Sequence, residues 1–567
     1  MVATQQQEVV APFGAEITPE GVRFRLWAPK AKRVDLQLGV DLLPMESQDG
    51  WYERVEPRAR AGSLYKYRID GEHLVPDPAS RFQPQDVDGP SEVIDPAAFR
   101  WKGGWKNRPW REAVIYELHV GAFTPEGTYR GVQSKLGHLA DIGVTAIELM
   151  PLSDFAGRRN WGYDGVLPYA PDSAYGRPED LKALVQAAHD AGLMVFLDVV
   201  YNHFGPKGNY LHLYAPHFFT GRHETPWGAA IDFTQPAVRQ YFVQNALYWL
   251  DEYRFDGLRF DAVHAIYDDS PKHVLFEISE KVREIFGEKK HLILENDASQ
   301  SRFIGPGRYD AQWNDDSHHG YHVLATGERD GYYVAYADAP AKHLARCLAE
   351  GFAYQGEISP FTGERRGEPS AHLPPRCFVD FLQNHDQIGN RALGERLLSL
   401  SSEKALKALS AILLLAPSPP LLFMGEEWGC RQPFLFFCDF EGELGEAVRR
   451  GRREEFKRFA AFKERIPDPL AETTFRRCVL RWKDRDAAWL AHYKELLSLR
   501  KEEITPMELG PGRYRMLGER AFEVTWEGLR LIANCGDAAV AIDSLPAQKP
   551  LWSNGTPGNP WTVNWWK

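Results

Sequence analysis

The sequence predicts an α/β protein: a (β/α)8 TIM barrel flanked by N-terminal and C-terminal β-sandwich domains. Three observations lead there. From about residue 112 to about residue 425, short apolar segments alternate with amphipathic helical ones. The apolar segments are hydrophobic throughout, as strands covered on both faces are, and about eight of them can be counted. Both ends of the chain instead alternate apolar and polar residues with period two. The expected division is 1–100 for an N-terminal β-sandwich, 101–490 for the barrel and 491–567 for a C-terminal β domain.

In the N-terminal part, VRFRLWAP (22–29), RVDLQLG (33–39) and LYKYRI (64–69) alternate, with turn residues between them. PDPAS (76–80) reads as the exit loop. The barrel then opens with AVIYELHVG (113–121), a strand. KLGHLADIG (135–143) is a helix stopped by glycine, and VTAIELMP (144–151) is the second strand. In the segment 178–192, Leu181, Leu184, Val185 and Ala188 share one helical face. Pro178 and two acids occupy its first turn, and Gly192 ends it. LMVFLDVV (193–200), DGLRFDAV (256–263), HLILEN (291–296), CFVDFLQN (377–384) and PPLLFMG (419–425) continue the strands, with helices over 240–253 and 274–286 between them. WNDDSHH (313–319) is expected to supply loop structure and substrate-side contacts near the sixth strand. A helix over 487–500 precedes the alternating tail FEVTWEGLRLIAN (522–534). The tryptophans of that tail, Trp561, Trp565 and Trp566, are expected to pack rather than bind. No Gly-x-Gly-x-x-Gly follows the first strand, which argues against a dinucleotide fold.

Composition narrows the function classes. The 567 residues carry a formal net charge of −11, so nothing draws the chain electrostatically to nucleic acid or anionic lipid. No apolar run reaches the ~18–20 residues that span a bilayer. The start, MVATQQQEVV, lacks the basic and apolar regions of a secretory signal. Six cysteines with no C-x-x-C pair suit reduced thiols, hence a cytoplasmic protein. Aromatic residues reach 13%, with 17 Trp and 23 Tyr, and sugar rings pack their C–H faces on such side chains.

An active site in this fold sits at the C-terminal ends of the strands. Asp198 and His203 border one such end, Arg259 and Asp261 another, Glu295 a third, and His385 with Asp386 a fourth. Acids gathered at one mouth repel one another, and function is the reason to keep them. Convergent carboxylates suit divalent-metal chemistry or glycoside cleavage, and the aromatic excess favours sugar. Arg259, two residues before Asp261 on the same strand face, would orient Asp261 and keep it ionised.

These residues carry a resemblance. DVVYNH (198–203), GLRFDAVH (257–264), LEN (294–296) and QNHD (383–386) resemble, in order, the four signature regions of the α-amylase superfamily, glycoside hydrolase family 13, and WGYD (161–164) resembles its aromatic subsite motif. Within it, YELHVGAFTPEGTYRG (116–131), TPWG (225–228) and QNHDQIGNRALGERL (383–397) are most similar to the members that act on malto-oligosyltrehalose. The resemblance implies a retaining hydrolase that cuts the α-1,4 bond beside the terminal trehalose and releases trehalose. A glycogen branching enzyme or another α-glucan hydrolase of the superfamily is the alternative. HAIY (264–267) and MGEEWG (424–429) depart from the usual branching-enzyme runs. Carried over, Asp261 is the nucleophile, Glu295 the general acid and then base, and Asp386 the transition-state stabiliser. His203 and His385 bind hydroxyls of the same ring, Tyr163 stacks beneath it, and Arg259 supports Asp261. Trp227 and His264 lie on the trehalose side, and Asp198 braces the mouth. Many amylases bind calcium through the equivalent of Asn202 and an acidic loop. With no such loop visible, no metal and no cofactor are expected.

Overall fold

The computed structural model describes residues 13–455 and 466–567; the N-terminal decapeptide read above for a signal lies outside them. Eight parallel strands close into a barrel: β1 (Ile115–Leu118), β2 (Ala146–Leu149), β3 (Met194–Val199), β4 (Gly257–Phe260), β5 (His291–Leu294), β6 (Ala311–Trp313), β7 (Phe378–Phe381) and β8 (Pro420–Phe423). β8 pairs back onto β1, which removes both sheet edges. The helix Pro178–Asp190 shows why the intervening segments fold as they do. Proline opens it, Glu179 and Asp180 sit in its first turn, and Leu181, Leu184, Val185 and Ala188 are buried. Gly192, at φ +76°, turns the chain into β3.

The interior of the barrel is layered. Ile115, Ala146, Phe196, Ile293, Trp313, Phe381 and Leu421 belong to one apolar cluster, separate from the main core, that fills the lower barrel as a plug. Side chains two residues apart on a strand share a face. So Glu117 stands above Ile115, Glu148 above Ala146, Asp198 above Phe196, and Glu295, just past β5, above Ile293. The polar floor of the barrel mouth is therefore the next layer up from the plug.

The N-terminal domain is a sandwich of two antiparallel sheets. Its strand Gly21–Trp27 buries Val22, Phe24 and Leu26 in strict alternation. The domain is locked to the barrel by Arg81, whose guanidinium lies 4.7 Å from the Tyr169 ring and 4.3 Å from the Tyr248 ring. Tyr241 Oη also donates to the carbonyl of Pro78, at 2.6 Å, in the exit loop.

The C-terminal β domain is one five-stranded antiparallel sheet, and its inner face rests on barrel helices. Trp565 Nε1 donates to the Ala411 carbonyl at 3.2 Å, and Trp561, Trp565 and Trp566 are all buried. The helix Ala487–Leu499 leads into this domain. WNDDSHH departs from expectation: Trp313 ends β6, and Asn314 caps the helix Asp315–Thr326, accepting a hydrogen bond from the Ser317 N–H. Asp316, His318 and His319 are buried in that helix.

Candidate active site

Arg259 is the centre of the mouth. It is 0% exposed, and an unpaired cation at such a depth would be severely destabilising. Its Nη1 donates to Asp198 Oδ2 at 2.6 Å and to Asp261 Oδ1 at 3.0 Å, and its Nη2 lies 2.9 Å from Glu295 Oε2. One planar fork thus meets acids from the ends of β3, β4 and β5. Its flat face lies 4.0 Å from the centre of the Trp313 ring.

Each carboxylate has a second tether. Asp261 Oδ2 accepts from Asn202 Nδ2 at 2.9 Å, and that same amide also donates to the Asp261 carbonyl. Glu295 Oε2 accepts from the Ala262 N–H at 2.7 Å. Ala262 has φ +39° and ψ +49°, a left-handed conformation that a residue with a Cβ adopts only at a cost of roughly 1–3 kcal/mol. That strained turn aims the amide N–H of Ala262 at Glu295. Asp386 stands further out, with 37% of its side chain exposed. Its Oδ1 accepts from Asn390 Nδ2 at 3.1 Å and lies 3.6 Å from His385 Nε2.

His385 is buried and bonded to Glu117, which accepts from the His385 backbone N–H at 3.1 Å and pairs closely with its Nδ1. Burial alone pushes this imidazole down, but the Glu117 and Asp386 charges and the Glu117 bond overcome it and hold the pKa at about 9. His385 is therefore a cation at neutral pH. Tyr163 stacks on it, ring centres 4.9 Å apart, and donates its hydroxyl to Asp198 Oδ2 at 2.6 Å. Burial pushes Asp198 up to about 7 against the pull of Arg259.

His203 joins two loops. Nε2 faces the Tyr163 carbonyl at 2.9 Å, and Nδ1 is bonded to Asn202 Oδ1. Trp227 stacks on its ring, centres 4.4 Å apart and 6° from parallel, and is itself 48% exposed. Trp227 sits at the turn of the hairpin Phe219–Thr225 and Gly228–Ile231. His264, exposed on a 3₁₀ turn, accepts from the Asp297 N–H at 3.3 Å and so borders the loop that carries Glu295.

Every sequence-derived site residue is thus tied by a named contact to this mouth or to a loop that forms it. Sequence reasoning missed Glu117, Glu148 and Trp313, and treated Asn202 only as part of a metal site. The one signal for Glu117 and Glu148 was an acid inside an otherwise apolar strand. Among the described residues, no group of three or more His, Cys, Asp or Glu side chains is arranged to hold a metal ion. Such an arrangement of one exposed acid, two anchored acids and stacked aromatic rings can grip a pyranose and exchange protons with its glycosidic oxygen.

Comparisons with known proteins bear on the family. Residues 79–215 match the model of the alpha amylase catalytic domain, and residues 12–98 match that of carbohydrate-binding module 48, the isoamylase N-terminal domain. A malto-oligosyltrehalose trehalohydrolase of Deinococcus radiodurans is 45% identical over 492 residues, covering 85% of this chain and 81% of that protein. One from Saccharolobus solfataricus is 42% identical over 502 residues, covering 86% and 87%. A crystal structure described as a putative alpha amylase from Salmonella typhimurium superposes with a TM-score of 0.94 at 47% identity, over 98% of this chain and 99% of that one.

Proposed function

The chain belongs to the malto-oligosyltrehalose trehalohydrolases of the α-amylase family, and we propose how its mouth carries out their reaction. The protein is a glycoside hydrolase that cuts the α-1,4 bond next to the terminal trehalose of malto-oligosyltrehalose and frees trehalose. Transfer to a glucan, as in a branching enzyme, is not favoured, because relatives that match most of the chain carry the trehalohydrolase name.

Asp261 attacks the anomeric carbon of the glucosyl unit bonded to trehalose. Glu295 gives its proton to the glycosidic oxygen, the C–O bond breaks, and trehalose leaves. A glucosyl ester on Asp261 remains. Glu295, now a carboxylate, takes a proton from water, whose oxygen displaces Asp261 and regenerates both groups with net retention. Asp386 holds ring hydroxyls as the ring flattens. His385, a cation at neutral pH, donates to a hydroxyl of the same ring. His203 does likewise when its Nε2 exchanges the Tyr163 carbonyl for sugar. Tyr163, backed on one face by His385, offers the other to the ring, while Trp227 and His264 receive trehalose.

One observation carries this assignment: a single guanidinium holds both Asp261 and Glu295, so the nucleophile and the proton donor are positioned together. The test is incubation with malto-oligosyltrehalose while NMR follows the new reducing end. Trehalose and an initial α-anomer are expected. New α-1,6 branches made from amylose, or a β-anomer formed first, would overturn the reading.

Two smaller proposals accompany it. The six cysteines, all buried and unpaired, fit a cytoplasmic protein. The units 1–100, 101–490 and 491–567 are proposed as the folding divisions, which limited proteolysis at the two junctions tests.

A further inference from the structure

One acid in the floor of the mouth has no part in the reaction above. Glu148 is the register partner of Glu117 on the neighbouring parallel strand, and it lies two residues beyond Ala146 of the plug, so it points into the barrel. It is 1% exposed, and neither of its oxygens has a hydrogen-bond partner. The charged groups facing it are Glu117 from β1, Asp198 from β3, Arg259 from β4 and His385 from beyond β7. Asp198 Oδ1, on the same floor, also lacks a partner.

The charge of Glu148 matters because of Arg259. That guanidinium serves Asp198, Asp261 and Glu295. A fourth carboxylate below it, ionised and with no donor of its own, would compete for it and draw it down from the two reacting acids.

We propose that Glu148 is a positioning residue for the hydrolysis: it stays a neutral carboxyl, offers its proton to the Asp198 and Glu117 side of the floor, and so leaves Arg259 committed to Asp261 and Glu295. This rests on the roles given above to those two acids. Burial, together with the Glu117 and Asp198 charges, holds its proton on, well above the ordinary carboxylate range.

Glu148→Gln keeps a neutral donor and acceptor of nearly the same shape, whereas Glu148→Met keeps the volume without either. Kinetics on malto-oligosyltrehalose should show Glu148→Gln within about threefold of the parent in kcat, and Glu148→Met down about tenfold or more with KM little changed. Equal losses in both variants, or no loss in Glu148→Met, would overturn the proposal. A second readout needs no turnover. A folded state that keeps a proton the unfolded chain gives up loses stability as pH rises. The Tm of the parent should therefore fall increasingly behind that of Glu148→Gln between about pH 5 and pH 8. A constant difference would show that Glu148 is ionised in the fold and would also sink the idea. Repeating the Tm series in an Asp261→Asn background separates the two readings: if that background still turned over substrate, the assignment of Asp261 would fail, while the Tm comparison would still judge Glu148.

Discussion

Arg259 and Asp198 form the shortest ion pair that the guanidinium makes at the mouth, 2.6 Å against 3.0 Å to Asp261 and 2.9 Å to Glu295. The grip that fixes the fork is therefore on an acid outside the proposed bond-breaking steps. Asp198 anchors the fork, and the fork places Asp261 and Glu295. Replacing Arg259 by Met leaves buried acids without their cation, and the fold should lose about 3–5 kcal/mol. Denaturant unfolding measures this, and a loss under about 1 kcal/mol would refute the anchoring role. Arg259→Lys retains a charge but not the fork, and should still lose about 100-fold or more in kcat/KM.

Asp261→Asn and Glu295→Gln should each lower kcat by about 10³-fold or more with the fold intact. In the proposed reaction the two acids act in one sequence of steps, so the double variant should be little slower than the slower single one. Losses that multiply would mean the residues work independently, against the double displacement.

The His385–Glu117 pair sets an alkaline limit. The folded imidazole is raised from 6.5 to about 9, so its stabilisation is complete below about pH 6.5 and is lost as pH rises through about 9. Glu117→Gln removes the main charge opposing burial. Its thermal stability should therefore fall less than that of the parent as pH rises from about 6.5 to about 9. Superimposable Tm–pH curves between about pH 6 and pH 10 would show that Glu117 does not hold this proton.

Trp227 is half exposed and stacks on His203. Trp227→Ala should change stability by less than about 0.5 kcal/mol. Loss of a stacking surface for trehalose should raise KM about tenfold, the equivalent of about 1.4 kcal/mol, with kcat less affected. An unchanged KM would remove Trp227 from the substrate path.

Gly162 precedes Tyr163 at φ +104°, and a Cβ there would lie 2.2 Å from the Pro151 carbonyl oxygen. Gly162→Ala should destabilise by about 2–3 kcal/mol and lower kcat/KM, because Tyr163 can no longer lie flat on His385. Gly221→Ala, where a Cβ meets nothing within 4 Å, is the matched control and should be close to neutral. Equal Tm values for the two variants would refute the steric account.

The barrel and the acids that gather at its mouth were legible in the sequence because barrel strands end where polar residues interrupt apolar runs. Asp198, Asp261, Glu295 and Asp386 all follow that rule. The floor was not legible. An acid within an apolar strand, such as Glu117 or Glu148, has the same sequence appearance whether it faces inward or outward, since both faces of a barrel strand are buried. The phase becomes visible only when Ala146 and Ile115 are seen in the plug. Glu117 also meets its partner, His385, across 268 positions of chain, which no local spacing encodes. WNDDSHH failed differently. Its polar letters suggested a loop, but Asn314 caps a helix and Asp316 bonds Tyr336 and the Ala353 N–H inside the protein. The single C-terminal sheet was likewise hidden, because alternation reveals a half-buried strand but not whether a helix or another sheet covers it.

The apolar plug beneath the mouth gives the barrel one doorway. A glucan cannot thread through the cylinder, and whatever enters must leave by the same opening. In the proposed reaction two products then share one exit: trehalose would depart past Trp227 while the remainder is still esterified, and the shortened chain only after water has used the vacated space.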